Sequence, residues 1–155
     1  MSQSQPPVSN PGRPRTCSIA RALELLGQKW SLLVVREVFY GVRRFEQIVA
    51  NTGAPRDVLT TRLRTLVEAG VLVKVAYSQR PPRWEYQLTD AGRDLLPVLM
   101  SLMRWGDEHL AGSGPVPVVW RHDCGCELLP QTTCAGCARP VVSGQLELVR
   151  TAESA

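Results

Sequence analysis

Apolar residues in this chain recur at helical spacing in four successive stretches, then alternate with polar residues, then return to helical spacing. The first stretch, from Cys17, places Ile19, Ala20, Leu23 and Leu26 on one side and stops at Gly27, a natural C-terminal signal. Trp30 to Tyr40 sets Trp30, Leu33, Val34 and Val38 on a second helical face ending at Gly41. Phe45, Ile48 and Val49 mark a short third helix closed by Asn51-Thr52-Gly53. Pro55 is tolerated in a first helical turn, where its missing N–H would have no partner, so a fourth helix is predicted from there to Ala69, capped by Gly70. Leu59, Leu63, Leu66 and Val67 give it one apolar stripe.

The β-branched and aromatic run Val71, Leu72, Val73, Val75, Tyr77 predicts a strand, and Trp84, Tyr86 and Leu88, alternating with Arg83, Glu85 and Gln87, predict its partner. Ser78 to Pro82 joins them. Thr89 then caps a single long helix running from Asp90 to about Leu110, with Leu95, Leu99, Leu102 and Met103 in one stripe. Val98 and Trp105 lie off that stripe, surplus apolar surface that calls for a partner, most simply a second copy. The predicted fold class is mainly α with a small β-hairpin wing, a winged helix-turn-helix.

That arrangement turns one face of the fourth helix outward. It carries Asp57, Thr60, Thr61, Arg64 and Thr65, with Arg56 at its start; short hydroxyls and an arginine suit base edges and phosphates in a major groove. Arg43 and Arg44 precede the third helix, and Arg80 and Arg83 flank the prolines of the wing, where phosphates could meet them. Two readings stand at this point: a DNA-reading surface, or an ordinary solvated face beside a basic surface turn.

Length and charge narrow the picture. A chain of 155 residues suits one domain with a small satellite. Residues 1–15, rich in Ser, Gln and Pro, read as a disordered tail without the apolar run of an export signal; residues 16–111 read as the DNA-binding and dimerisation domain. No stretch reaches the ~20 apolar residues of a spanning helix, so no membrane partner and a cytoplasmic location are expected. The net charge of +4 is uneven: residues 1–110 hold 15 Lys and Arg against 10 Asp and Glu, and the remainder 3 against 4. The basic excess thus accompanies the candidate DNA reader.

The order of several segments resembles the HxlR-type family of bacterial winged helix-turn-helix transcription regulators over roughly residues 17–110. The segments are Cys17 with Ser-Ile-Ala-Arg-Ala-Leu, Gly27-Gln28-Lys29-Trp30, Gly41-Val42-Arg43-Arg44-Phe45, Val58 to Arg64, Gly70-Val71-Leu72, Pro81 to Tyr86 and Leu88-Thr89. The resemblance implies a homodimer built from the first and last helices, binding double-stranded DNA as an inverted repeat with readers about 34 Å apart. It also implies repression or activation, and response to an oxidant or small-molecule effector. Ala54-Pro55-Arg56 departs from the Ser-containing start usual in the family and lacks that hydroxyl for a phosphate. Similar regulators often place a redox-sensing thiol where Cys17 stands. A helix N-terminus favours the thiolate, whereas the bland reading of a lone cysteine is a small buried apolar residue.

After Gly112-Ser113-Gly114-Pro115 the composition changes. Residues 112–155 hold Cys124, Cys126, Cys134 and Cys137, C-x-C and C-x-x-C pairs with His122 just before. Four thiolates favour zinc, and so small a module needs metal or a cross-link for stability; the expectation is a zinc-ribbon-like extension, with His122 as a substitute ligand and free or redox-active thiols as the alternative. Enzyme readings fail. A zinc deaminase wants His-x-Glu and Pro-Cys-x-x-Cys, but His122 is followed by Asp123 and Cys124, and Pro130 stands four residues ahead of Cys134. With two histidines, His109 and His122, no nucleophile and base pair is supported. A rival from another class is a zinc-dependent protein-interaction adaptor on a winged-helix scaffold.

Overall fold

The computed structural model describes residues 17–110, 112 and 114–147; the tail expected over residues 1–15 lies outside them. The order is α1 (Ser18–Leu26), α2 (Ser31–Phe39), α3 (Phe45–Thr52), α4 (Arg56–Glu68), β1 (Leu72–Gln79), β2 (Pro82–Leu88), α5 (Asp90–Arg93) and α6 (Leu96–His109). The core is made chiefly where α2, α3 and α4 meet under the hairpin: Val34, Val35, Val38, Ile48, Leu59, Leu63, Leu66, Val71 and Leu72 are buried. Gly53 and Gly70 take left-handed conformations that end α3 and reverse the chain into β1.

Three expectations are corrected. Trp30 is not in α2 but at its N-cap, in the left-handed region with φ 82°. That conformation costs an L-residue about 1–2 kcal/mol, offset here by the half-buried indole packing on the core. The strands run longer than expected, pairing Gln79 with Pro82 and leaving Arg80 and Pro81 as the turn, with a bulge between Ala76 and Ser78. A proline is tolerated at the first position of a strand because no ladder donor is needed there.

The third correction concerns the closing helix, which is two helices broken at Asp94 and Leu95. Pro97 explains the break: it has no N–H to give to the Arg93 carbonyl four residues back, and its ring crowds that group, so α5 ends at Arg93 and Pro97 sits in the first turn of α6. Thr89 caps α5 as expected, accepting from the Gly92 N–H at 3.1 Å while donating to the Gly70 carbonyl at 2.6 Å. This bond joins the start of α5 to the turn below α4.

Gly92 is buried against the entrance of β1, and a Cβ there would stand 2.2 Å from the Val71 carbonyl oxygen. Gly106 on α6 has open space at the same position. Gly92→Ala is therefore expected to destabilise the fold by about 1–3 kcal/mol through overpacking, and Gly106→Ala to stabilise it by about 0.5–1 kcal/mol. Urea unfolding of the two variants beside the parent chain checks both signs.

Candidate nucleic-acid interface

Helix α4 buries Leu59, Leu63 and Leu66, and the geometry of a 3.6-residue turn then leaves Arg56, Asp57, Thr60, Thr61 and Arg64 exposed. The outward threonines are back-bonded: Thr60 donates to the Arg56 carbonyl at 2.8 Å and Thr61 to the Asp57 carbonyl at 3.0 Å. Their lone pairs and methyl groups remain for a ligand. Arg64 leans on Glu68 at 3.9 Å, an exposed pair of little energetic weight. Pro55 offers no side-chain acceptor at the N-cap, and the neighbouring Ala54 is buried.

Arg56 is engaged within the chain. Its guanidinium makes a two-pronged bond to Glu46 on α3, with one contact at 2.7 Å, and lies 5.2 Å from the centre of the Phe45 ring. This clamp sets the start of α4 against the start of α3. Arg62, which the periodicity did not single out, donates to the Lys29 carbonyl at 3.2 Å and ties α4 to the turn before α2.

Arg44, Phe45, Glu46, Gln47, Tyr77, Arg83 and Trp84 line one open groove of about 420 Å³ between α3 and the hairpin. Arg44 lies 4.8 Å from the centre of the Tyr77 ring, a cation–π contact that holds it at the groove wall. Arg43 reaches Glu85 at 3.7 Å, and its carbonyl accepts the Tyr86 N–H at 2.9 Å, so β2 fixes the chain entering α3. Arg80 is exposed on the turn. Glu46, which Arg56 clamps, lines the same groove as Arg83 of the hairpin.

Cys17 is half-buried at the N-cap of α1, where its carbonyl accepts the Arg21 N–H. The other four cysteines are exposed on two turns of the extension, closed by bridges Arg121 to Glu127 and Thr133 to Pro140. Among the described residues no three His, Cys, Asp or Glu side chains converge closely enough to hold an ion, and the one sheet is the hairpin of β1 and β2. The Arg139 backbone N–H, then its side chain, hydrogen-bond to Cys137 and hold that thiol below the ordinary cysteine range. The extension docks on the main domain through Trp120, whose ring lies 5.7 Å from Phe39 and 5.2 Å from Tyr40, and through Arg104, which donates to the Pro130 carbonyl. Sequence reading had no signal for this docking, since it depends on the tertiary approach of α2.

An outward helix after a tight turn, braced by a basic hairpin, defines the winged helix-turn-helix class of DNA-binding proteins. The HxlR-like helix-turn-helix family model matches residues 25–113, and the chain belongs to that family of transcriptional regulators. It is 47% identical over 127 residues to a protein of Mycobacterium tuberculosis named an uncharacterized HTH-type transcriptional regulator, covering 81% of this chain and 80% of that one. The crystal structure of PA1607, a candidate transcription factor, superposes with a TM-score of 0.75 at 33% identity, covering 87% of this chain and 95% of the other. The redox regulator HypR in its reduced form gives a TM-score of 0.55 at 28% identity over 61% of this chain and 95% of its own. These relatives are regulators rather than enzymes, and among the described residues no helix is long and apolar enough to cross a membrane.

The clamp makes a titration prediction. The hydrogen bonds from Arg56 hold the Glu46 carboxyl below its ordinary value of 4.5. A depressed carboxyl contributes stability that is present above that value and lost as pH falls through the folded-state value. By NMR titration Glu46 is expected to protonate below 4.5 in the parent chain and to return toward it in Arg56→Ala.

Proposed function

We propose that this protein regulates transcription as a homodimer bound to an inverted-repeat operator, one α4 in each major-groove half-site. The observation that carries the reading is the apolar surface left uncovered in a single chain. Not one residue of α1 is buried, Ile19 and Leu23 being 70% and 53% exposed, and on α6 Val98, Leu102 and Trp105 are each about half exposed. Two amphipathic helices that each leave apolar residues uncovered fit a self-complementary interface. Thr60, Thr61, Arg64 and Asp57 face bases or adjacent phosphates; Arg43 and Arg44 steady the backbone ahead of α3, and Arg80 and Arg83 act from the wing. Arg56 serves first as the clamp on Glu46 and presents its outer edge to phosphate.

Mobility shift against the promoter beside its own gene, with sedimentation equilibrium, tests the reading. A retarded complex of two chains per site supports it, while a monomer without sequence preference overturns it and favours the adaptor. Arg64→Ala is expected to cost about 1–3 kcal/mol at the operator with discrimination relaxed. Arg83→Ala should weaken binding to every sequence and lower the salt slope by about one.

Response to oxidant is the regulatory part of the proposal. Cys17 stands at the N-terminal end of α1, one of the helices assigned to the dimer interface, and the likeness to HypR, a redox regulator, supports a redox response in this chain. A peroxide would convert the Cys17 thiolate to a sulfenic acid with release of hydroxide, changing charge and volume beside that interface. Peroxide should release operator DNA from the parent chain but not from Cys17→Ser; release from both removes Cys17 from the role.

A further inference from the structure

The second turn of the extension brings two thiols together. The Cys137 N–H donates to the Cys134 carbonyl at 3.3 Å, and the N–H of Ala138, a residue in the left-handed region with φ 56°, donates to the same carbonyl at 2.7 Å. Cys134 gives its own N–H to the Arg139 carbonyl at 2.9 Å, and below it the Val141 N–H meets the Thr132 carbonyl at 2.8 Å. A bond between first and fourth residues closes a β-turn whose end Cα atoms lie within about 7 Å, overlapping the roughly 4.4–6.8 Å that a disulfide spans. A Cβ on Gly136 would stand 3.8 Å from Cys134 Sγ, so that sulfur lies over the middle of the turn, and the Cys134 side chain hydrogen-bonds to Cys137.

We propose that Cys134 and Cys137 are a dithiol that peroxide converts to a disulfide within this one turn. Both residues are exposed, so a small oxidant reaches them. Arg139 sets the order of events, because its backbone N–H and its side chain bond to Cys137 and favour the thiolate there. The Cys137 thiolate attacks one peroxide oxygen, the O–O bond breaks, and Cys137 becomes a sulfenic acid as hydroxide leaves and takes up the proton that the thiol released. The Cys134 sulfur then attacks the Cys137 sulfur: the S–S bond forms, the S–O bond breaks, and the hydroxyl leaves with the Cys134 proton as water. Two thiols lose two electrons and two protons while one peroxide is reduced to two waters. The turn also rests on the main domain. Thr132 and Val141 at its base share a cleft of about 240 Å³ with Arg104, Trp105 and Glu108 of α6, so the new bond would close in a segment seated on a helix assigned to the dimer interface.

The test is peptide mass spectrometry on the full-length chain, reduced, freed of reductant, treated with hydrogen peroxide and then alkylated. Glu127 stands between the two cysteine pairs, so cleavage after it separates Cys124 and Cys126 from Cys134 and Cys137. The fragment with Cys134 and Cys137 is expected to lose two hydrogens and to resist alkylation until a thiol reductant is added. Cys17→Ser and Cys126→Ser should behave as the parent does, which keeps this outcome distinct from that at Cys17. In Cys134→Ser the reaction should stop at the sulfenic acid, trapped on Cys137 by dimedone. A parent fragment that keeps both hydrogens, or a disulfide that joins either residue to Cys124 or Cys126, overturns the pair. Dimedone on Cys134 in Cys137→Ser, with none on Cys137 in Cys134→Ser, overturns the order of attack.

Discussion

Helix α2 is the element on which the others are assembled. Val34, Val35 and Val38 are wholly or nearly buried, and α2 touches α1, α3, α4, β2 and α6. Even its acidic residue is inside: Glu37, 4% exposed, takes hydrogen bonds from Arg36 at 2.7 Å and Asn51 at 2.7 Å. A buried carboxylate without such donors would cost several kcal/mol. Asn51 lies near the end of α3, so satisfying Glu37 fixes how far α3 extends before the turn into α4. The orientation of the outward face of α4 is thus inherited from packing and hydrogen bonding two helices away.

The exposed surface shows the opposite economy. Its arginines are numerous, yet Arg56, Arg43 and Arg44 all have partners in the chain: Glu46, Glu85 and the Tyr77 ring. These contacts trade some positive potential for order. A guanidinium already held in one arrangement loses less rotamer freedom on meeting a phosphate than one that sweeps through solvent. In the proposed complex, Arg80 and Arg83 on the wing supply the looser, longer-range attraction that falls with salt.

The helices, the hairpin and the face of α4 were legible in the sequence because apolar periodicity and turn residues act locally. Leu59, Leu63 and Leu66 announce the buried stripe whatever surrounds them. The break at Asp94 and Leu95 is also local, because Pro97 suits the first turn of a new helix as well as the interior of a continuous one. The Arg56–Glu46 clamp was illegible, because ten residues and a turn separate two charges that meet only once α3 and α4 are packed. The docking of the extension was illegible for a different reason: Trp120 meets Phe39 and Tyr40 only once α2 has been packed in place.

Trp120 carries a consequence for the chain as a physical object. Its indole N–H is buried without a hydrogen-bond partner, a cost of about 1–3 kcal/mol that the edge-on and tilted packing of its ring against Phe39 and Tyr40 must offset. The extension is therefore a lid over an aromatic patch at the end of α2, and the domain beneath it has been shaped to be covered. A shorter chain ending near residue 114 would bare the Phe39 and Tyr40 rings to water beside the α6 residues Leu99 and Met103, which share a cleft with Tyr40. In colloidal terms the extension exchanges one apolar surface for another, covering the two rings while Val119, Leu129 and Leu146 stay exposed.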